Sequence, residues 1–132
     1  MIQIKKYVIE GIIAHAKESF PIEACGYLAG KDGIILEQFR LTNVDQSSEH
    51  FSFDPREQFE VLKKVRSIGM EIIANYHSHP ATPARPSQED IRLANDPDIY
   101  YCIVSLSGDY PEIKLYRIQD RVVSEHELFI IN

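Results

Sequence analysis

The sequence predicts an α/β fold in which a mixed β-sheet is flanked by helices. Segments with the apolar period of a helix alternate with short β-branched and aromatic runs, and Gly, Pro or Asn/Asp marks most changes between them. Size agrees: 132 residues, 44% hydrophobic and 26% charged, can build one core without disulfide or metal staples. Residues 1–132 are therefore expected to form a single domain.

The elements follow in order. Ile4, Val8, Ile12 and Ala16, with Tyr7 and Ile13 beside them, predict a helix from about Ile4 to Ser19 that Pro21 ends. Ala24 to Leu41 reads as a hairpin: Cys25 to Ala29, a turn through Gly30 to Gly33, then Ile34 to Phe39. Thr42 to Glu49 is a polar loop. Phe51 and Phe53 alternate with Ser52 in a short strand, after which Asp54 and Pro55 supply an N-cap and a first helical residue. The helix they start carries Phe59, Leu62, Val65 and Ile68, with Val61 adjacent, and Gly69 stops it. Glu71 to Tyr76 reads as a buried strand. His79 to Pro86 holds three prolines and is a loop, and Ser87 to about Asn95 is a short helix closed by Pro97. Strands at Ile99 to Leu106, Glu112 to Ile118 and Val122 to Ile131 complete the pattern, which contains no internal repeat.

Composition narrows the function. A formal net charge of −6 without a basic stripe disfavours nucleic acid as a partner. Cys25 and Cys102 form no C-x-x-C pair, which points to buried free thiols in a reducing cytoplasm. The amino-terminal segment carries Lys5, Lys6, Glu10, His15 and Lys17 and lacks an apolar run of membrane-spanning length, so neither export nor insertion in a membrane is expected.

Chemistry concentrates in His77-Ser78-His79-Pro80 and the segment after it. Histidines at i and i+2 where a strand ends share one face, and two imidazoles with a carboxylate and an open fourth position describe a catalytic zinc site. Asp90, in the first turn of the next helix, can return to the strand end across the proline-rich loop. Each residue also has an ordinary role. A His-x-His pair is commonly a hydrogen-bonded surface feature, and Ser87-x-x-Asp90 is a capping box that fits Asp90 poorly if it is also a ligand. Glu23 beside Pro21 can be a solvated helix-end residue, although the apolar Ala24-Cys25-Gly26 after it favours a pocket. Cys25 lacks a base partner and reads as a small core residue rather than a nucleophile. His15, His50, His126, Arg85 and Glu89 read as structural or surface residues, with Arg85 placed to touch a substrate.

Taken together, His77-Ser78-His79-Pro80, Ser87, Asp90 and the upstream block Pro21-Ile22-Glu23-Ala24-Cys25-Gly26-Tyr27-Leu28-Ala29-Gly30 resemble the JAMM/MPN zinc metalloprotease family. Phe51-Ser52-Phe53-Asp54-Pro55 and Ile103-Val104-Ser105-Leu106 extend the resemblance over roughly Ile4 to Ile118. It implies a three-layer MPN-domain (cytidine-deaminase-like) architecture. It implies one catalytic Zn2+ held by His77, His79 and Asp90, Glu23 as general base on the attacking water, and Ser87 as oxyanion stabiliser. Cytidine-deaminase chemistry itself is disfavoured, because P-C-x-x-C and H-x-E are missing.

Enzymes of that family cleave after the C-terminal diglycine of ubiquitin or ubiquitin-like proteins. This chain lacks the sizeable insertions of linkage-specific deubiquitinases and is similar to prokaryotic members tied to sulfur carriers. The implied activity is a peptidase that frees an amino acid such as cysteine, or a short extension, from a sulfur-carrier protein, its partner. The alternatives are an isopeptidase acting on lysine conjugates and a non-catalytic MPN scaffold, the latter opposed by the intact ligand set. An extended substrate tail is expected to add to an exposed sheet edge beside the zinc.

Overall fold

In the computed structural model, which describes residues 1–132, strand β1 (Ile2–Lys5) runs directly into helix α1 (Lys6–Ser19). The sequence predicts helix from Ile4, but Ile2 and Ile4 alternate into the core with period two and β1 pairs in parallel with two distant strands. Non-local hydrogen bonds override the local helical signal there. The hairpin forms as β2 (Cys25–Lys31) and β3 (Ile34–Leu41), longer than expected on both sides. Its tight turn has Asp32 at φ 54° and Gly33 at φ 76°, the left-handed pair that a two-residue hairpin requires.

The predicted strand at Phe51–Phe53 reduces to one bridge, Asn43 with Phe53. Helix α2 (Pro55–Ser67) is capped by Asp54, whose side chain accepts from Arg56 N. Val65 is its one buried residue and Val61 is half-buried, whereas Phe59, Leu62 and Ile68 are exposed. β4 (Glu71–His79), α3 (Gln88–Leu93), β5 (Tyr100–Ser105) and β6 (Glu112–Gln119) follow. The expected last strand is two strands, β7 (Val122–His126) and β8 (Leu128–Ile131).

All eight strands form one mixed sheet in the order β7-β6-β5-β4-β2-β3-β1-β8. β4 runs parallel to β5, and β1 parallel to β3 and β8; the other neighbours are antiparallel. β7 and β8 occupy opposite edges yet are separated only by Glu127. Three consecutive Cα atoms span at most about 7 Å, so the sheet is curled until its edges approach at that point.

The concave face holds α1: Val8, Ile12 and Ala16 pack with Leu28, Ala74, Tyr76, Cys102, Val104 and Leu115. Burying each larger aliphatic side chain here contributes roughly 1.5–3 kcal/mol. On the other face, Cys25, Tyr27 and Leu41 meet Phe51, Phe53 and Val61 under α2. Tyr101, Ile103, Tyr116 and Ile118 lie under Ala84, Ile91 and Ala94 around α3. Helices on both faces give the expected three layers. No helix is long and apolar enough to cross a membrane.

Candidate metal centre

β4 continues through His79, three residues beyond the strand expected from sequence, because it is hydrogen-bonded on both sides: Cys25 pairs with His77 and Ser105 with His79. The strand that carries both histidines therefore has no free edge. Edge addition of the kind expected from the sequence would therefore use a segment other than β4.

The i, i+2 spacing turns both imidazoles to the α3 face, where the return loop delivers Asp90. Three contacts pin that loop: Ser105 Oγ donates to Thr82 O (2.5 Å), Tyr116 Oη to Ala84 O (2.5 Å), and His79 Nδ1 to Pro83 O (2.8 Å). Donation from Nδ1 leaves the Nε2 lone pair of His79 directed inward. His77 stacks on Phe51 with ring centroids 4.7 Å apart.

His77 Nε2, His79 Nε2 and Asp90 Oδ2 are each 3.1 Å from the other two. Donors placed tetrahedrally about 2.0–2.1 Å from zinc are separated by about 3.3–3.4 Å, so the triangle approximates one face of such a shell. The donor chemistry fits as well. Two nearly inaccessible imidazoles, 1% and 4% exposed, and a carboxylate converge lone pairs on one point, an arrangement that a cation relieves. Two neutral histidines and one carboxylate leave a divalent ion with net positive charge and an open position.

Helix capping and the donor triangle, which the sequence sets against each other at Asp90, coexist. Ser87 Oγ accepts from Asp90 N (3.0 Å) while Asp90 Oδ2 accepts from Ser87 N (2.9 Å), and that same Oδ2 faces both histidines. Burial acts to raise the Asp90 pKa, but in protein without the ion, where the imidazoles can turn N–H groups rather than lone pairs to Oδ2, hydrogen bonds from His77, His79 and Ser87 N outweigh it and hold the carboxyl well below the usual range. Ser87 uses Oγ as an acceptor in the cap, so its O–H remains available to donate.

Glu23 is 3% exposed, and Oε1 has no hydrogen-bond partner. Beyond the Cys25–His77 pair, Ala24 N donates to Ser78 Oγ (2.7 Å) and Ser78 N to Ala24 O (2.9 Å), which extends β2 toward the His79 end of β4. Glu23 N donates to Ser47 O (2.9 Å), and Asn43 Nδ2 donates to Glu23 O (3.1 Å). Burial pushes the Glu23 carboxyl up to about 8, with His79 opposing and Asp90, Glu89 and Glu49 adding to the rise. An unpaired buried carboxyl with a pKa near neutrality suits a proton carrier.

The five residues singled out in the sequence thus gather around the end of β4. Cys25 is fully buried, and burial first, then the Glu23 charge, pushes its thiol up to about 12, which fits a core residue. His15, His50 and His126 bond to Tyr76, Asp45 and Ser124, respectively, outside the centre. Sequence reasoning missed Ser78, Asn43 and Phe51 as supports. Ser78 stood inside the motif between the histidines, whereas Asn43 in a polar loop carried no distinguishing signal.

The family of prokaryotic homologs of the JAB domain matches residues 5–119. The chain is 34% identical over 131 residues to the CysO-cysteine peptidase of Mycobacterium tuberculosis, covering 97% of this chain and 90% of that one. It is 31% identical over 106 residues to the desampylase of Haloferax volcanii, covering 75% and 76%. The solution structure of protein DSY2949 from Desulfitobacterium hafniense superposes with a TM-score of 0.92 at 46% identity, covering 99% of this chain and 93% of that one.

Proposed function

Because the chain belongs to the family of prokaryotic homologs of the JAB domain, we propose that it is a zinc-dependent peptidase acting as one domain on the C-terminus of a sulfur-carrier or ubiquitin-like protein. It hydrolyses the peptide bond after the terminal diglycine and frees an amino acid such as cysteine. The convergence of His77, His79 and Asp90 beside buried Glu23 carries this reading.

His77 Nε2, His79 Nε2 and Asp90 Oδ2 would hold the ion. When bound, zinc supplies Lewis-acid chemistry, lowering the pKa of a water molecule toward 7 and polarising the scissile carbonyl. Glu23 takes the proton of the attacking water on its carboxylate and hands it to the departing amine. Its burial keeps the carboxylate weakly solvated and so a better base, while the ion's positive charge favours the ionised form needed to accept the proton. Ser87 Oγ–H donates to the carbonyl oxygen as negative charge develops there. His79 keeps its orientation through Pro83 O.

A second reading, an isopeptidase that detaches ubiquitin-like proteins from lysine, draws support from the similarity to a desampylase. A cytoplasmic setting accords with the two free, buried thiols. The test offers the purified protein a carrier ending in Gly-Gly-Cys and a lysine-linked conjugate of the same carrier, with products followed by mass spectrometry and zinc by elemental analysis. About one zinc per chain and release of cysteine are expected. Cleavage of the lysine conjugate alone overturns the preference, and full-rate cleavage by metal-free protein overturns the mechanism.

A further inference from the structure

Glu23 stands outside the β2 ladder, which begins at Cys25, and its Oε1 has no partner. What holds it is the loop between Asn43 and Phe53, closed at its neck by the bridge between those two residues and by Val44 N donating to Ser52 O (3.0 Å). The loop takes both backbone groups of Glu23: Ser47 O accepts from Glu23 N (2.9 Å), and Asn43 Nδ2 donates to Glu23 O (3.1 Å). Asn43 is 7% exposed and uses its whole carboxamide. Nδ2 also donates to His50 O (3.1 Å), with Ser47 O farther off at 3.5 Å, while Oδ1 accepts from Asp45 N (3.1 Å) and Ser52 N (3.3 Å). Carbonyls face one end of the amide and N–H groups the other, which fixes its orientation. The residue after His50 is Phe51, whose ring stacks on His77. One buried side chain therefore joins the peptide of Glu23 to the segment that presses on a metal donor.

Resting on the proposed peptidase function, we infer that Asn43 is the positioning residue of the general base: by bonding Glu23 O and His50 O at once, it sets the spacing between the Glu23 carboxyl and the centre formed by His77, His79 and Asp90. A base works only within hydrogen-bond reach of the proton it takes, and a displacement of about 1 Å costs about 10²-fold in rate. With Oε1 unbonded, the carboxyl is aimed by its own backbone, and both hydrogen bonds of that backbone go to the Asn43–Phe53 loop. Asn43 bonds to none of the three donors. They have separate supports: His77 lies between Cys25 and Ile103 in the sheet, His79 donates to Pro83 O, and Asp90 belongs to the capping box. Loss of the Asn43 amide therefore releases the base and leaves the donors in place.

The test compares wild type with Asn43→Ala and with Asn43→Asp, which keeps Oδ1 as an acceptor for the loop, each alone and combined with Glu23→Gln. Zinc-loaded proteins are assayed on a peptide ending Gly-Gly-Cys. Both Asn43 variants are expected to lose about 10²-fold in kcat with KM within about twofold of wild type, and to keep about one zinc per chain. In the Glu23→Gln background the same substitutions should change the residual turnover by less than about twofold, because no base is left to place. In metal-free protein, amide hydrogen exchange at Glu23 should speed up by about tenfold or more in both variants, while amides of the β2 ladder keep their rates. A residue that only stabilises the fold lowers the unfolding midpoint and produces neither the kcat-specific loss nor its dependence on Glu23. Wild-type kcat in either folded variant, equal losses with and without Glu23, or unchanged exchange at Glu23 overturns the assignment and leaves the peptidase reading standing. Zinc-loaded wild type that cleaves neither this peptide nor a lysine-linked conjugate overturns both.

Discussion

Replacing Glu23 with Gln removes a proton carrier and also a buried charge, and the two effects separate by pH. Burial raises the Glu23 carboxyl from its ordinary 4.5 to about 8. In metal-free protein the folded state therefore holds a proton that the unfolded chain releases, a contribution fully present below pH 4.5 and lost as pH rises through 8. Each pH unit in that window costs the folded state about 1.4 kcal/mol, or about 3 kcal/mol at pH 7 before solvent reaching the site reduces it. Gln has the same shape without the titration, and Oε1 already has no partner. Glu23→Gln should therefore stabilise metal-free protein by about 2–3 kcal/mol at pH 7 and by little near pH 5, measured by urea unfolding across that range. Bound zinc favours the Glu23 carboxylate and should shrink the difference. The same variant should retain zinc and lose about 10²–10⁴-fold in kcat. A stability gain that does not vary with pH, or turnover near wild type, would refute the reasoning.

Other outcomes follow from the same contacts. Asp90→Ala removes a proposed metal donor and half of the capping box, so zinc per chain should fall toward zero and the metal-free protein should unfold about 1 kcal/mol more easily; full zinc content in this variant contradicts the donor assignment. A Cβ at Gly26 would press on Phe39 O and sit 2.5 Å from Tyr76 Cε1, so Gly26→Ala should destabilise the fold by about 2–4 kcal/mol, read as a lower denaturant midpoint. His15 is held down to about 4, by burial first and the Arg40 charge second. Its contribution is present above pH 6.5 and lost as pH falls toward 4, and His15→Gln should flatten that acid limb in a pH series of thermal unfolding.

The sequence alone made the helical periods, the hairpin and the Asp54 cap legible, because each depends on neighbours a few positions away, whereas the candidate residues of the centre were legible through the family resemblance of two separated blocks. Even the short helix after the proline-rich loop was legible through Ser87. Elements set by distant partners were not. Whether Ile2–Lys5 is strand or helix depends on β3 and β8, and the division of Val122–Ile131 depends on a sheet curled until its two edges meet at Glu127. At the centre, sequence set the cap against the donor role at Asp90, and only the folded chain brings one carboxylate oxygen within reach of Ser87 N and both imidazoles. Tertiary structure likewise decided that the histidine strand lies inside the sheet and that Asn43 braces Glu23. Both depend on pairings between segments far apart along the chain, which leave no periodic trace in the residues themselves.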